Sequence, residues 1–283
     1  MSHEPLRVIS LGAGVQSSTM ALMFSRSKLQ PMPHAAIFAD TGEEPGSVYK
    51  WLDYLTPLLA FPVYRVGRKV GLGEEALRLR VSKKTGNVYA RTLVPAFFQK
   101  ADGKRGLMGR RCTAEFKVRE LQKKQRQLAK ELHPRGLKWN TPRVVTYVGI
   151  SLDEVHRMKP SVEPWNEIQW PLIDARMTRT DCLRWMADNG YPRPPRSACK
   201  FCPFHSDEEW SRLKREEPAE FAAAVKFDEQ LRHVAAQQTG TAAIGGLVYL
   251  HSSLKPLAEV QLGDDKASPK DQFGNECTGL CGV

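Results

Sequence analysis

The chain has 283 residues, of which 41% are hydrophobic and 26% are charged, a composition typical of globular proteins. It has no apolar run of about 18 residues and no secretory pattern in "MSHEPLRVISLG", so we expect a cytoplasmic protein without a membrane partner. The net charge of +11 favours phosphate-rich partners, whether nucleotides or nucleic acid.

The N-terminal part of the sequence predicts strands and helices in alternation. Strands are expected over 6–11, 34–42 and 61–68, and helices over 17–26 and 45–59. This order is typical of a parallel α/β sheet with crossover helices. Ligands bind such sheets at the carboxyl ends of the strands. A glycine turn follows the first predicted strand and the tripeptide "DTG" ends the second, and we expect both at that edge.

The rest of the chain predicts fewer strands and more helix. In chain order we expect an irregular segment acting as a mobile lid (69–110), a basic helix (113–132), a strand (143–151), a helix (178–191), one or two helices broken near Pro218 (207–237), and a packed apolar segment (247–260). No boundary indicates a second domain. The chain is therefore predicted to be one α/β domain, with a core over about 5–206 and a helical, cysteine-containing portion over 207–283.

The turn "SLGAGVQSS" has the features of a phosphate-binding loop. Gly12 and Gly14 allow backbone N–H groups to approach oxygen atoms closely, and Ser17 and Ser18 supply hydroxyls at a helix start. An ordinary tight strand-to-helix turn would look similar. No "GK[ST]" follows, which disfavours γ-phosphate chemistry of the Walker type, and no G-x-G-x-x-G indicates a dinucleotide site.

Several motifs in a fixed order resemble the PP-loop ATP pyrophosphatases. They are "SLGAGVQSS", "IFADTGEEPGSVYKWLD", "YVGISLDEVHR" and "WPLIDARMTRTDCLRWMADNGYPRPPRSACKFCPF". Together they are similar to the branch related to phosphoadenosine-phosphosulfate (PAPS) reductase and cover most of residues 6–210. The resemblance implies a Rossmann-like parallel sheet flanked by helices, with a helical C-terminal portion. Proteins of this branch occur in phage genomes and type IV CRISPR loci.

The resemblance also implies a nucleotide site. ATP and Mg²⁺ are the implied ligands, and Ser17 and Asp40 are candidate catalytic residues. The family loop S-G-G-x-D-S matches here at Gly14 and Ser17, whereas Gln16 stands at the aspartate position. The implied cofactor-binding residues are Leu11, Gly12, Ala13, Gly14, Gln16, Ser17, Ser18, Phe38, Asp40, Thr41, Gly149, Arg111 and Arg157.

Six cysteines suggest metal or redox chemistry, because close thiol pairs in a reducing compartment favour either over structural disulfides. Cys199 and Cys202 form a C-x-x-C pair that can bind one metal or cluster. In related cluster-bearing reductases a C-C pair lies upstream, and Arg111-Cys112 replaces it here. A [4Fe–4S] cluster on Cys112, Cys199, Cys202 and a fourth ligand is expected, and zinc is the alternative. Inert buried thiols are a further interpretation, which we adopt for Cys182 inside a helix.

The fourth ligand stays open between Cys277, Cys281 and His205, or the fourth iron carries no protein ligand. Cys281 is our choice as ligand. Family reductases carry a nucleophilic cysteine in a C-terminal "ECG"-like segment, and Glu276-Cys277 is comparable. Cys277 is therefore a candidate catalytic thiol, or else part of a tail that completes the metal site.

Three functions are compatible with these features. The first is an ATP α-hydrolase or adenylyltransferase that releases pyrophosphate and modifies a nucleotide or nucleic-acid acceptor, with sulfur supplied through a cluster. The second is a PAPS or adenylyl-sulfate reductase. The third is a non-catalytic nucleotide- and nucleic-acid-binding accessory of a mobile-element or CRISPR system. The basic region 103–135 could hold RNA or DNA or could simply be solvated, and a homodimer is compatible with the sequence.

Overall fold

The computed structural model of the chain describes residues 4–100, 102–133, 142–240 and 246–262. Its strands are β1 (Leu6–Ser10), β2 (Ala35–Asp40), β3 (Val63–Gly67), β4 (Leu79–Val81), β5 (Val88–Ala90), β6 (Phe97–Gln99), β7 (Arg105–Leu107), β8 (Val144–Val148), β9 (Asn166–Gln169) and β10 (Val248–Tyr249). Its helices are α1 (Val15–Ser25), α2 (Gly46–Leu55), α3 (Leu72–Leu77), α4 (Arg119–Leu132), α5 (Pro171–Asp174), α6 (Arg179–Asp188), α7 (Asp207–Glu216) and α8 (Pro218–Ala236).

The central sheet has five parallel strands in the order β3-β2-β1-β8-β9. The three inner strands β2, β1 and β8 are largely buried, as expected for strands covered on both faces, whereas the edge strand β3 is partly exposed. The chain adds β2 and β3 on one side of β1 and then crosses to β8 and β9 on the other. The predicted parallel α/β sheet flanked by helices is confirmed. After β1 the chain continues to β2 on one side, and after β8 it continues to β9 on the other. The gap between the carboxyl ends of β1 and β8 is therefore the topological switch point of the sheet.

Two apolar clusters cover the two faces of the sheet. On one face, Phe24, Leu52 and Met186 from α1, α2 and α6 pack around Ile9 and Tyr147. On the other face, Leu121 and Leu128 of α4 pack on Val8, Ile37 and Val144. Helix α4 carries its apolar residues on this side and its charges on the other, as the amphipathic sequence predicts.

The segment 69–110 is more ordered than predicted. It holds α3, the hairpin of β4 and β5, and the antiparallel pair of β6 and β7 that β10 extends. Its residues Leu72, Leu93 and Ala96 belong to a third apolar cluster with Phe227 of α8 and Leu250. The prediction that this segment is irregular was therefore wrong, because three-residue strands are too short to show a periodic pattern in the sequence.

The predicted helix 113–132 begins with a π-helical stretch over Thr113–Val118 and continues as α4. The helix predicted over 178–191 is α6, and Thr178 and Asp181 form a capping box at its start. The predicted break near Pro218 separates α7 from α8. Within the described ranges, no helix is long and apolar enough to span a bilayer.

Candidate functional site

The glycine turn connects β1 to α1 and is braced by its own serine. The Ser17 hydroxyl accepts a hydrogen bond from the Gly12 N–H at 3.2 Å and donates to the Gly14 carbonyl oxygen at 3.4 Å. Ala13 has a φ of 59°, a left-handed conformation that costs a non-glycine residue about 1–2 kcal/mol. Such strained positions concentrate at functional sites. The turn ends at the N-terminus of α1, where backbone N–H groups and the helix dipole favour an anion.

Gly149, directly after β8, packs against this turn. A Cβ atom on Gly149 would lie 2.7 Å from the Ser17 backbone nitrogen and 3.0 Å from the Gln16 carbonyl carbon. A side chain at this position would therefore displace the backbone of the glycine turn. The structure brings Gly149 against Gln16 and Ser17, in the first turn of α1 and at the switch point of the sheet.

Gln16, in the first turn of α1, takes part in a buried polar network. Its Nε2 donates to Glu154 Oε2 at 3.1 Å, and its Oε1 accepts from Arg179 Nη1 at 2.9 Å. Arg157 donates to the other Glu154 oxygen at 2.5 Å, and this pair is almost fully buried. Arg157, predicted as a phosphate clamp, is therefore positioned by Glu154 beside the first turn of α1.

Three predicted contact residues direct their side chains into the core. The fully buried Ser18 hydroxyl accepts a hydrogen bond from Trp51 Nε1 at 2.9 Å. Phe38 and Leu11 are buried among the residues that join the sheet to α1 and α2. These side chains pack into the core next to the glycine turn. A nucleotide in the turn would therefore contact the backbone atoms of these residues and not their side chains.

Asp40 ends β2, next to the carboxyl end of β1. Its Oδ1 accepts hydrogen bonds from the Gly42 N–H at 2.7 Å and from the Tyr49 hydroxyl at 2.8 Å. Burial raises the pKa of Tyr49, and its hydrogen bond to Asp40 raises that pKa further. The phenol therefore stays protonated and acts as a donor, which fixes the Asp40 carboxylate in the turn.

Thr41 joins this turn to the cysteines. Its Oγ1 lies 3.3 Å from Cys199 Sγ, and the residue is 2% exposed. Cys112, Cys199 and Cys202 line one pocket together with Thr41, and Phe201 and Leu72 supply apolar walls. The structure thus brings together the three cysteines that the sequence predicts as ligands. Cys182 is fully buried in the core beside α1, as predicted for an inert thiol, and burial raises its pKa to about 12.

A buried ion pair lies beside Cys199. Lys117 Nζ, on the π-helical stretch, donates to Glu44 Oε1 at 2.9 Å, and the two side chains are 8% and 0% exposed. No hydrogen bond reaches Glu44 Oε2 from any described residue. Burial raises the pKa of Cys199 well above its ordinary value, and the charge of Glu44 raises it further, whereas Lys117 opposes this.

His205 follows the C-x-x-C turn, and burial lowers its pKa to about 3. A neutral ring then donates from Nε2 to the Cys199 carbonyl oxygen, at 3.0 Å, which leaves Nδ1 as an acceptor. Nδ1 has no hydrogen-bond partner among the described residues. This arrangement, with one ring nitrogen on a backbone carbonyl, is common among metal-binding histidines.

The donor set of the pocket suits a soft metal or a cluster. A tetrahedral zinc site with Zn–S bonds of about 2.3 Å needs all its thiolates around one point. Within the described ranges, no three His, Cys, Asp or Glu side chains converge in that way. The candidate ligand Cys281 and the candidate nucleophile Cys277 lie outside the described residues.

The basic region 103–135 splits into engaged and exposed side chains. Lys117 is buried, Arg126 lies over Trp165, and Lys124 lies over Tyr64. The exposed basic residues of α4 are Arg119, Lys123, Arg126 and Lys130. Arg111, predicted as a phosphate clamp, is exposed and its backbone N–H donates to the Leu93 carbonyl oxygen, which anchors it beside the cysteine pocket.

Sequence reasoning missed Arg179, Tyr49 and the Lys117–Glu44 pair. Arg179 is the first residue of α6 and contacts Gln16 across 163 positions of sequence. No local pattern predicts such a contact, although the "TRTD" capping signal places Arg179 at a helix start.

No protein-family model matches the chain, and no curated protein matches it in sequence.

Proposed function

We propose that the chain is a PP-loop-type adenine-nucleotide enzyme that cleaves ATP between the α- and β-phosphates. AMP is transferred to an acceptor or to water, and pyrophosphate leaves. The glycine turn would hold the phosphates. Asp40 and Thr41 would lie near the adenosine, on the neighbouring strand end.

One observation carries this proposal: the close approach of Gly149 to Ser17 and Gln16 at the switch point of a parallel sheet. Nucleotides bind such sheets in the crevice beyond the strand ends. A glycine turn at one side of the switch point and a glycine at the other give a backbone surface without side chains. Backbone N–H groups at a helix N-terminus then supply the donors that phosphate oxygens need.

The chemistry follows from where charge develops. Attack on the α-phosphorus forms a bond from the acceptor oxygen and breaks the bond to the bridging oxygen, so negative charge grows on the pyrophosphate. Positive charge at the N-terminus of α1 and at Arg157 and Arg179 stabilises this change. Mg²⁺, when bound, would neutralise phosphate charge, and the Asp40 carboxylate at the end of β2 offers the kind of oxygen ligand that this ion prefers.

The cysteine pocket would hold an iron–sulfur cluster through Cys112, Cys199 and Cys202. A cluster supplies sulfur or electron chemistry when it is present. Thr41 links this pocket to the "DTG" turn, because its hydroxyl lies 3.3 Å from Cys199 Sγ. An adenylated acceptor and a sulfur-handling group would then share one region of the molecule.

A nucleic-acid acceptor draws support from the exposed face of α4. Arg119, Lys123, Arg126 and Lys130 are exposed there, and Lys123 Nζ lies 3.9 Å from Glu120 Oε2. Such side chains pair with backbone phosphates, and binding through them weakens as salt increases.

The test is product analysis with anaerobically purified protein, Mg²⁺ and ATP labelled at the α- and γ-phosphates. We expect AMP and labelled pyrophosphate. ADP with inorganic phosphate would contradict the proposal, and so would unchanged ATP in the presence of RNA and DNA acceptors.

A parallel reaction with adenylyl sulfate and a thiol reductant separates the reductase function. Sulfite release there, without pyrophosphate release from ATP, would replace our proposal by that function. Binding of ATP without turnover under every condition would favour a non-catalytic accessory.

A further inference from the structure

Gln16 has a fixed orientation at the start of α1. The residue is 2% exposed, and both ends of its side-chain amide are engaged. Nε2 donates to Glu154 Oε2 at 3.1 Å and to Ser151 Oγ at 3.4 Å, and Oε1 accepts from Arg179 at 2.9 Å. A flipped amide would set its NH₂ group against a guanidinium, which has donors alone, and its oxygen against a carboxylate.

Arg179 is held from two sides. Its guanidinium donates to Gln16, and its backbone N–H donates to Asp153 Oδ1 at 3.1 Å. The side chain is partly buried between α6 and α1, which pack together. A planar guanidinium is the side chain best suited to bind phosphate oxygens, and here it stands beside the N-terminus of α1.

We propose that Arg179 is a phosphate-binding residue of the glycine turn, positioned by Gln16, whose amide orientation Glu154 sets. The inference rests on the proposed function, because it assumes a polyphosphate in the turn. It also gives a physical reason for glutamine where the PP-loop pattern has aspartate. An aspartate at position 16 would face the buried Glu154 carboxylate, and two carboxylates at hydrogen-bond distance repel each other.

The first experiment compares Arg179→Gln with Arg184→Gln, a matched control on the same helix whose side chain is 65% exposed. We expect Arg179→Gln to weaken ATP binding about tenfold or more, as for the loss of a charge-assisted contact. Affinity for adenosine, which has no phosphate, should stay within about twofold of wild type, whereas general damage to the fold would weaken both. Arg184→Gln should match wild type for both ligands.

The second experiment uses Gln16→Asp, Glu154→Gln and the double variant. The single change to aspartate should weaken ATP binding about tenfold and lower the melting temperature. The double variant restores one carboxylate and one amide, so affinity should return to within about threefold of wild type.

Two results would overturn the inference while leaving the proposed function intact: wild-type affinity of Arg179→Gln for ATP, or equal losses of ATP and adenosine. A double variant that binds ATP no better than Gln16→Asp would reject the role of Glu154. If wild-type protein itself does not bind ATP, the proposed function fails and this inference fails with it.

Discussion

At the scale of single residues, the candidate site is formed more by backbone contacts of the glycine turn and Gly149 than by side-chain contacts. The glycine turn was predicted from its own residues, because glycines let backbone N–H groups approach a ligand closely. Gly149 was predicted only from the resemblance of "YVGISLDEVHR" to the glycine strand of the PP-loop proteins. The sequence did not predict what Gln16 contacts, because Ser151, Glu154 and Arg179 are at least 135 positions away. It also suggested that Ser18 reaches the phosphates, whereas its hydroxyl supports Trp51. Contacts between distant segments decide the direction of a side chain, and they leave no local pattern.

The buried pair of Lys117 and Glu44 gives a residue-scale prediction. Lys117→Met should lower the free energy of unfolding by about 3–5 kcal/mol, since it leaves the Glu44 carboxylate buried without its countercharge. Urea unfolding measures the loss. The double variant Lys117→Met/Glu44→Leu should recover most of it, because two apolar side chains replace the pair. A loss below about 1 kcal/mol in the single variant would show that the pair is not buried as described.

At the scale of elements, pattern length determined what could be predicted. Strands β1, β2, β3 and β8 and helices α1, α2 and α6 have runs long enough to show their period, and they lie where the sequence indicated, whereas the four-residue edge strand β9 was not predicted. The short strands β4 to β7 have no such runs, and so an ordered region was predicted to be irregular. The packing of α7 and α8 near α2 was also not predictable, because it depends on the polar side chain of Glu217.

Glu217 gives a prediction for pH at this scale. It accepts hydrogen bonds from Arg212 and from the backbone and hydroxyl of Ser47, joining the α7–α8 turn to the start of α2. Burial raises the pKa of Glu217, but the hydrogen bonds from Arg212 and Ser47 outweigh it, so its pKa lies below the ordinary value of 4.5.

A carboxyl group whose pKa is lowered by folding stabilises the protein above its unfolded pKa. This contribution is lost as the pH falls through 4.5 and then through the lower folded value. The free energy of unfolding of Glu217→Gln should therefore fall less steeply than that of wild type between about pH 6 and pH 3. Glu208→Gln, at an exposed position on α7, is the control and should follow wild type. Identical slopes for Glu217→Gln and wild type would contradict this role of the carboxylate.

At the scale of the whole molecule, strand order brings the motifs together. The chain lays β2 and β3 beside β1 and later places β8 on its other side, so turns more than 100 residues apart in sequence meet at one edge. The cysteine pocket joins the same region through Thr41. The order of the motifs along the chain predicted that they lie at one edge of the sheet. The contacts between their side chains could be seen only in the folded structure.

The central claim is that a nucleotide binds in the glycine turn at this switch point, and ATP titration of two alanine variants tests it most directly. In Gly149→Ala the new Cβ would lie 2.7 Å from the Ser17 backbone nitrogen, whereas in Gly109→Ala no atom of the described residues, apart from the two adjoining residues, lies within 4 Å of it. We expect Gly149→Ala to lose about 1–3 kcal/mol of stability from overpacking and at least about tenfold in ATP affinity, at a temperature where it stays folded. Gly109→Ala should bind ATP as wild type does. Wild-type ATP affinity in folded Gly149→Ala would contradict the claim.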